Sequence, residues 1–256
     1  MIDSNTLPPP QLAILVLAIA FLYASVGFGG ASGYLAAMSQ FFIAPQIMSS
    51  TALILNLVVS FIAFVSYYRA RFFAPRLLWP FLLTSVPAAF IGGLLEVSTN
   101  TYFLLLYLSL SYIAVRILFF RSISDEDTSS VRPLSLGVAL LCGAGIGLLS
   151  GIIGIGGGIF LSPLIVLAGW GTPKQAAASS AAFIFVNSFS GLLGRAMSGS
   201  LELGVLGLAL LPLGLAGAWV GSRLGSRYLS GAAVRRLLGV VLLIAVVRYW
   251  GEFLLS

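Results

Sequence analysis

Val26–Gly33 reads VGFGGASG and Ile152–Phe160 reads IIGIGGGIF. The two stretches occupy matching places in the two halves of a chain that is otherwise of membrane-grade hydrophobicity. A helix broken by glycine inside a bilayer frees backbone N–H and C=O groups, which only buried protein or a water-lined cavity can satisfy. Paired interruptions of this kind in the two halves of an apolar chain point to a transport site.

The composition around them sets the class. Of 256 residues, 59% are hydrophobic and 8% charged, and the mean hydropathy is +1.09. No water-facing globular surface fits such a balance, so the chain reads as an all-α polytopic membrane protein. At roughly 20 residues per crossing, the length holds about eight to ten helical segments and one membrane domain spanning residues 1–256. Histidine is absent and Cys142 is the sole cysteine. Haem, zinc clusters, disulfides and a Ser-His dyad therefore lose their usual groups, and the chain reads as a protein without cofactor or metal and as no enzyme. The 13 Lys and Arg against seven Asp and Glu give +6. The basic residues cluster between apolar segments, which is a topology signal and not a nucleic-acid footprint. The N-terminal MIDSNTLPPPQ lacks a basic leader and reads as retained.

Apolar runs between charge and proline breaks predict helices near 12–27, 31–44, 46–68, 76–96 and 100–120, then the polar linker RSISDEDTSSVRP at 121–133. A second set follows near 134–152, 158–169, 173–196, 203–223 and 233–253. A shift of about 127 residues places Gly27, Gly29 and Gly30 on Gly154, Gly156 and Gly157, and one more residue places Pro45 on Pro173 and Ser60 on Ser188. Pro87 with Gly92 matches Pro212 with Gly217, and Arg116 matches Arg248. An internal duplication accounts for these matches, with repeat 1 at about 12–120 and repeat 2 at about 134–253.

The first two segments of each half are short and flank the glycines, so each pair forms either a kinked crossing or a re-entrant hairpin. Charge separates the two. Hairpins leave three full crossings per half, hence inverted repeats, and place Arg69, Arg71, Arg76, Arg116, Arg121, Arg132, Lys174, Arg223, Arg227, Arg235 and Arg236 on one side, with only Arg195 and Arg248 opposite. Kinked crossings split the same residues eight against five. The positive-inside rule favours the hairpins, with the linker cytoplasmic and both termini extracytoplasmic.

A helix that begins inside the membrane presents unpartnered amides and the positive end of its dipole, which suits an anion. Such N-termini are expected at Ala31 and Gly158, with Gly29, Gly30, Ala31 and Ser32 in the first half and Gly156, Gly157, Gly158 and Ile159 in the second supplying backbone donors. The following helices carry Thr51, Asn56, Ser179, Ser180 and Asn187 near their middles, and their hydroxyls and amides suit oxyanion oxygens. The competing account makes the glycines packing surfaces and the polar side chains interhelical glue. No Asp, Glu, Lys or Arg is expected near the midplane, so no carboxylate proton relay is visible.

The stretch GIGGGIFLSPLIVLAGWGTPKQAAASSAAFIFVNSFSGLLGRAMSG, with Gly154, Gly156, Gly157, Gly158, Pro163, the Ala176–Ser180 run, Gly191 and Gly199, resembles the second-half signature of the sulfite exporter TauE/SafE family, also called the toluene sulfonate uptake permease family. The first half, with GFGG, Pro45, Thr51 and Pro87 with Gly92, resembles its companion repeat, departing at Ala31, Ala36 and Arg71, where the second half has Gly158, Pro163 and Gly199. The resemblance implies a bacterial inner-membrane transporter of sulfite, thiosulfate or organosulfonates. The residues alone reach a small-anion transporter in a lipid bilayer, with a passive anion channel or a non-transporting scaffold subunit as alternatives and a homodimer left open.

Overall fold

The computed structural model describes residues 6–25, 28–119, 132–225, 243, 246–247 and 249–251. Nine α-helices are formed among them: α1 Pro10–Ser25, α2 Ala31–Ser39, α3 Pro45–Arg69, α4 Trp79–Leu94, α5 Thr99–Phe119, α6 Leu136–Ile153, α7 Gly158–Leu167, α8 Pro173–Ser198 and α9 Gly204–Gly225. Most of the linker at 121–133 and of the expected helix 233–253 lies outside the described residues, as do Val26 and Gly27.

Local chemistry sets the helix bounds. Pro45 and Pro173 open α3 and α8, where a missing N–H costs nothing and the fixed φ is already helical. Thr172 and Gln175 close a capping box over the start of α8. At its other end, Gly199 takes φ +76° and turns the chain out. The second segment of each half is shorter than expected. After α2 the left-handed Phe42, φ +54°, and the extended Ala44 before Pro45 end the run; after α7 it ends at Gly169, φ +70°.

α3 and α8 are the two longest of the described helices, 25 and 26 residues, each about 38 Å at 1.5 Å per residue and long enough to cross a bilayer. α6 and α9 also have the length and apolar composition to cross. α3 and α8 pack together and run antiparallel. Lys174, at the start of α8, sits 5.0 Å from the centroid of Phe72, just past the end of α3. At the other end the Glu202 amide donates to Ser50 Oγ at 3.2 Å.

Around this pair the halves exchange partners. α4 packs on α6 and α1 on α9, both in parallel: Gly143, Gly147 and Gly151 face Phe81, Ser85 and Ala89, while Gly217 and Gly221 face Leu17 and Phe21. A Cβ at Gly143 would lie 2.6 Å from the Phe81 carbonyl oxygen, and one at Gly217 would lie 2.5 Å from that of Leu17. Small residues let helix backbones approach this closely, and in lipid, where apolar burial between helices gains little, such packing supplies the association. The outward faces carry large apolar side chains such as Leu141, 77% exposed, and Leu208, 58% exposed, as a lipid-facing surface requires.

Each half also places its first two helices in contact with its long one, α2 on α3 and α7 on α8. The Arg132 amide donates to the Gly169 carbonyl at 2.8 Å, so the chain approaching α6 lies beside the chain leaving α7.

The backbone contact between α1 and α9 leaves no room for a branched side chain. Gly217→Val should lower the thermal midpoint of the detergent-solubilised protein by the equivalent of about 1–3 kcal/mol, the usual cost of overpacking. A midpoint equal to wild type would show that this contact is not close.

Candidate functional site

α1 stops at Ser25 and α2 starts at Ala31; α6 stops at Ile153 and α7 starts at Gly158. In the first gap Gly30 takes φ +96°, and in the second Gly154, Gly156 and Gly157 take +88°, +77° and +76°. These conformations favour glycine. Both gaps are interior to the protein, with Gly29, Gly30 and residues 154–158 all buried.

The gaps meet at one place. A Cβ on Gly29 would lie 2.6 Å from Asn56 Oδ1 and 3.0 Å from Ile184 Cγ2, and one on Gly156 would lie 3.0 Å from the same Ile184 carbon and press on Asn56 Nδ2. Asn56 and Ile184 are each the twelfth residue of their helix, α3 and α8. The Asn56 carboxamide therefore spans the space between the two breaks, with one end toward each. Asn56 is fully buried, and neither of its polar side-chain atoms has a hydrogen-bond partner. Leaving such a group unsatisfied costs about 1–3 kcal/mol, which a purely architectural position would not retain.

The other expected residues divide into those at this junction and those away from it. Gly158 lies there, since a Cβ on it would meet Ile184 at 2.5 Å and the Ser180 carbonyl at 2.7 Å. Ser180 sits one turn before Ile184 on α8, with a buried, unpartnered hydroxyl. Ala31, Ser32 and Ile159 stand in the first turns of α2 and α7, where amides lack a helical acceptor. The Gly158 amide is instead spent locally, donating to the Gly156 carbonyl at 3.1 Å. The Ser32 hydroxyl pairs with the Tyr23 hydroxyl at 2.6 Å, so only its backbone remains for a ligand. Asn187 donates its side-chain amide to the Phe183 carbonyl at 2.9 Å and leaves only its oxygen unpartnered, an acceptor that does not suit an anion. Thr51 lies about 140° around α3 from Asn56 at 100° per residue, and its hydroxyl faces Gly207 of α9. Ser179 stands in the same relation to Ile184 on α8.

Three further residues, two at the junction and one beside it, escaped the sequence reading. Ile184 is the apolar counterpart of Asn56. Tyr34, fully buried with an unpartnered hydroxyl, folds back over Gly30, where a Cβ would meet its hydroxyl oxygen at 2.8 Å. The spacing of four from Gly30 on one helix face was the available signal. The third, Arg195, corrects an expectation. Charge counting assigned it only a side, opposite most of the other basic residues, and no charged group was expected to bear on the site; it is 5% exposed and reaches the end of α6. Its Nη2 donates to the carbonyls of Gly151 at 3.1 Å and Ile152 at 2.7 Å. The physical reason is the break itself: ending α6 inside the protein orphans its last carbonyls and concentrates the negative end of its dipole, which a guanidinium satisfies.

The sequence matches the sulfite exporter TauE/SafE family over residues 12–249. The chain belongs to this family. A TauE/SafE protein is a membrane transporter and not an enzyme, and among the described residues no cluster of metal-ligating side chains occurs. The chain is 36% identical over 237 residues to the "Probable membrane transporter protein y4hK" of Sinorhizobium fredii, covering 91% of this chain and 95% of that protein. It is 25% identical over 264 residues to the "Probable membrane transporter protein YunE" of Bacillus subtilis, covering 93% and 92%. No solved structure matches. The family assignment makes the chain a multi-pass inner-membrane transporter, and the junction of its two glycine breaks is the candidate site of this TauE/SafE protein.

If Asn56 is retained for a ligand, Asn56→Leu should leave the thermal midpoint unchanged or raise it, because an apolar group of similar size removes an unsatisfied buried amide. Structural glue would give the opposite result, a fall by about 1 kcal/mol or more, measurable by thermal unfolding in detergent.

Proposed function

We propose that this TauE/SafE protein is a secondary transporter of small sulfur-containing anions (sulfite, thiosulfate or an organosulfonate) across the bacterial inner membrane. The anion is held near the midplane between the two glycine breaks. The observation that carries this reading is the convergence of Gly29 and Gly156 on one buried, unpartnered carboxamide, Asn56. The amides that open α2 and α7 supply the backbone donors, at Ala31, Ser32 and Ile159. The Asn56 amide, the Ser180 hydroxyl and the Tyr34 hydroxyl supply neutral side-chain donors. Gly29, Gly30, Gly156, Gly157 and Gly158 keep the backbone open to the ligand. Thr51, Ser179 and Asn187 serve the packing around α3 and α8.

The architecture we infer is one membrane domain of two inverted repeats, each a re-entrant hairpin followed by three crossings. Three features support it. The corresponding helices α3 and α8 run antiparallel, the packing of α4 on α6 mirrors that of α1 on α9, and the approach to α6 lies beside the exit from α7. With the basic ends of α3, α4, α8 and α9 at Arg69, Arg76, Lys174 and Arg223 placed in the cytoplasm, both termini are extracytoplasmic. Access alternates by movement of the hairpins against α3 and α8.

Counterflow of labelled sulfite and thiosulfate into proteoliposomes, with sulfate, chloride and an organosulfonate as competitors, tests this. Saturable counterflow with a preferred competitor is expected. Flux without saturation would make the protein a channel, and no flux with any of these anions would return the glycines to packing. In the same assay Gly157→Val should lose at least tenfold in rate at equal reconstitution. The residue has φ +76°, and a Cβ there would meet Ile146 at 2.6 Å and Phe183 at 2.8 Å. Wild-type flux in that variant would contradict the site.

A further inference from the structure

A second site adjoins the second break from the end of the molecule where α3 and α9 begin. There a recess is lined by Gln46 and Ser49 of α3, Glu96 after α4, Tyr102 of α5, Arg195 of α8 and Ser200. Its inner wall touches the break, since a Cβ on Gly154 would lie 2.7 Å from the Ser49 carbonyl oxygen, and the Tyr102 hydroxyl donates to the Ile153 carbonyl at 3.0 Å. Arg69, Arg71, Arg76, Lys174 and Arg223 gather at the far end of the helices, which leaves Arg195 as the cation of this region among the described residues.

Arg195 is not fully used by its structural role. One nitrogen, Nη2, caps the α6 carbonyls, while Nε is buried and has no hydrogen-bond partner. Its hydrogen-bond partners are carbonyl oxygens; although Glu96 lines the same recess, no ion pair joins the two. A guanidinium buried without a counter-charge is costly, and its fork geometry matches an oxyanion. Capping α6 needs only Nη2, so the Nε donor is left for something else.

We propose that this recess is a second anion subsite, in which the charge and the unpartnered Nε donor of Arg195 bind a small oxyanion next to the second glycine break. It rests on the reading of the chain as a small-oxyanion transporter, and gives that anion a charged station outside the neutral central site. Glu96 in the wall opposes the anion and keeps the station weak, so that the ligand passes on.

The test uses local chemistry and does not depend on flux. In the full chain carrying Cys142→Ser to remove the native thiol, Ser200→Cys places a thiol in the recess wall. Its labelling by anionic and cationic methanethiosulfonates of equal size is compared, with methanesulfonate as protecting anion. With each rate divided by that of the same reagent with a free thiol, the anionic reagent should be favoured severalfold, the order a single charge at about 7 Å in a water-like medium produces. Arg195→Gln should remove that preference and, with Glu96 left in the wall, bring the ratio to one or below. Methanesulfonate should slow labelling saturably, an effect abolished by Arg195→Gln and retained in Asn56→Ala, whose central site is lost. Arg195→Lys, which keeps the charge without the fork, should keep most of the ratio and lose at least threefold in protection; it carries the test should Arg195→Gln fail to insert. Protection that is absent in wild type, unchanged by Arg195→Lys or abolished by Asn56→Ala would overturn the subsite, as would a ratio indifferent to Arg195. If counterflow fails for every anion while protection at Ser200→Cys holds, the transport reading falls and the subsite stands.

Discussion

Two helices stop inside the protein, and the groups their ends release have no water to turn to. The rest of the structure is arranged around that constraint. For α6 the C-terminal side of the problem is solved by side chains from other elements: Arg195 of α8 takes the Gly151 and Ile152 carbonyls, and Tyr102 of α5 takes that of Ile153. The N-terminal side is left open. The first amides of α2 and α7, the Asn56 carboxamide and the hydroxyls of Tyr34 and Ser180 form a set of buried donors of which the side-chain members are unpartnered. The last carbonyls of α6 are satisfied while these donors are spared, an asymmetry that suits the proposed anion.

The frame that holds the breaks in place is built from glycine. Between α4 and α6, and between α1 and α9, glycines face backbone so closely that a Cβ would collide, and these contacts join elements from opposite halves of the chain. The packing units are therefore mixed: α4 lies on α6 and α1 on α9, and glycines bring α4 equally close to α8, where a Cβ on Gly194 would meet the Phe90 carbonyl. Under the proposed alternating access, the hairpins move against α3 and α8.

Much of this was legible from residues, and the limits were physical. Glycine spacing gave the breaks, and Pro45 and Pro173 gave the starts of the long helices, because those residues act through local backbone conformation. Eight of the nine described helices begin and end within about three residues of expectation at both ends; α2, which stops five residues early, does not. The unexpected features depend on tertiary approach. That both breaks reach the same Asn56, and that its counterpart is the apolar Ile184, follows from how α3 and α8 cross. The contact of Arg195 with the end of α6 was not legible because counting charges assigns a side and not a depth; yet it lies eleven residues after Ile184, close to the same face of α8 by helical arithmetic. Thr51 was grouped with Asn56 although five residues separate them, which turns it toward α9.

The separation of charge from the centre has a consequence for rate. A fixed arginine between the two breaks would hold an oxyanion tightly in a medium of low dielectric, and release would then limit turnover. The central donors are instead neutral, and each contributes a modest net hydrogen bond. Their pull is shared between two breaks that belong to different hairpins. Under the proposed alternating access, when one hairpin moves its donors leave the ligand and Asn56, anchored on α3, remains with the other set. Binding at the centre is thus strong only while both breaks are present, and movement of either hairpin weakens it. The guanidinium stands to one side of this junction, at the end of α6, where it can concentrate anion without trapping it.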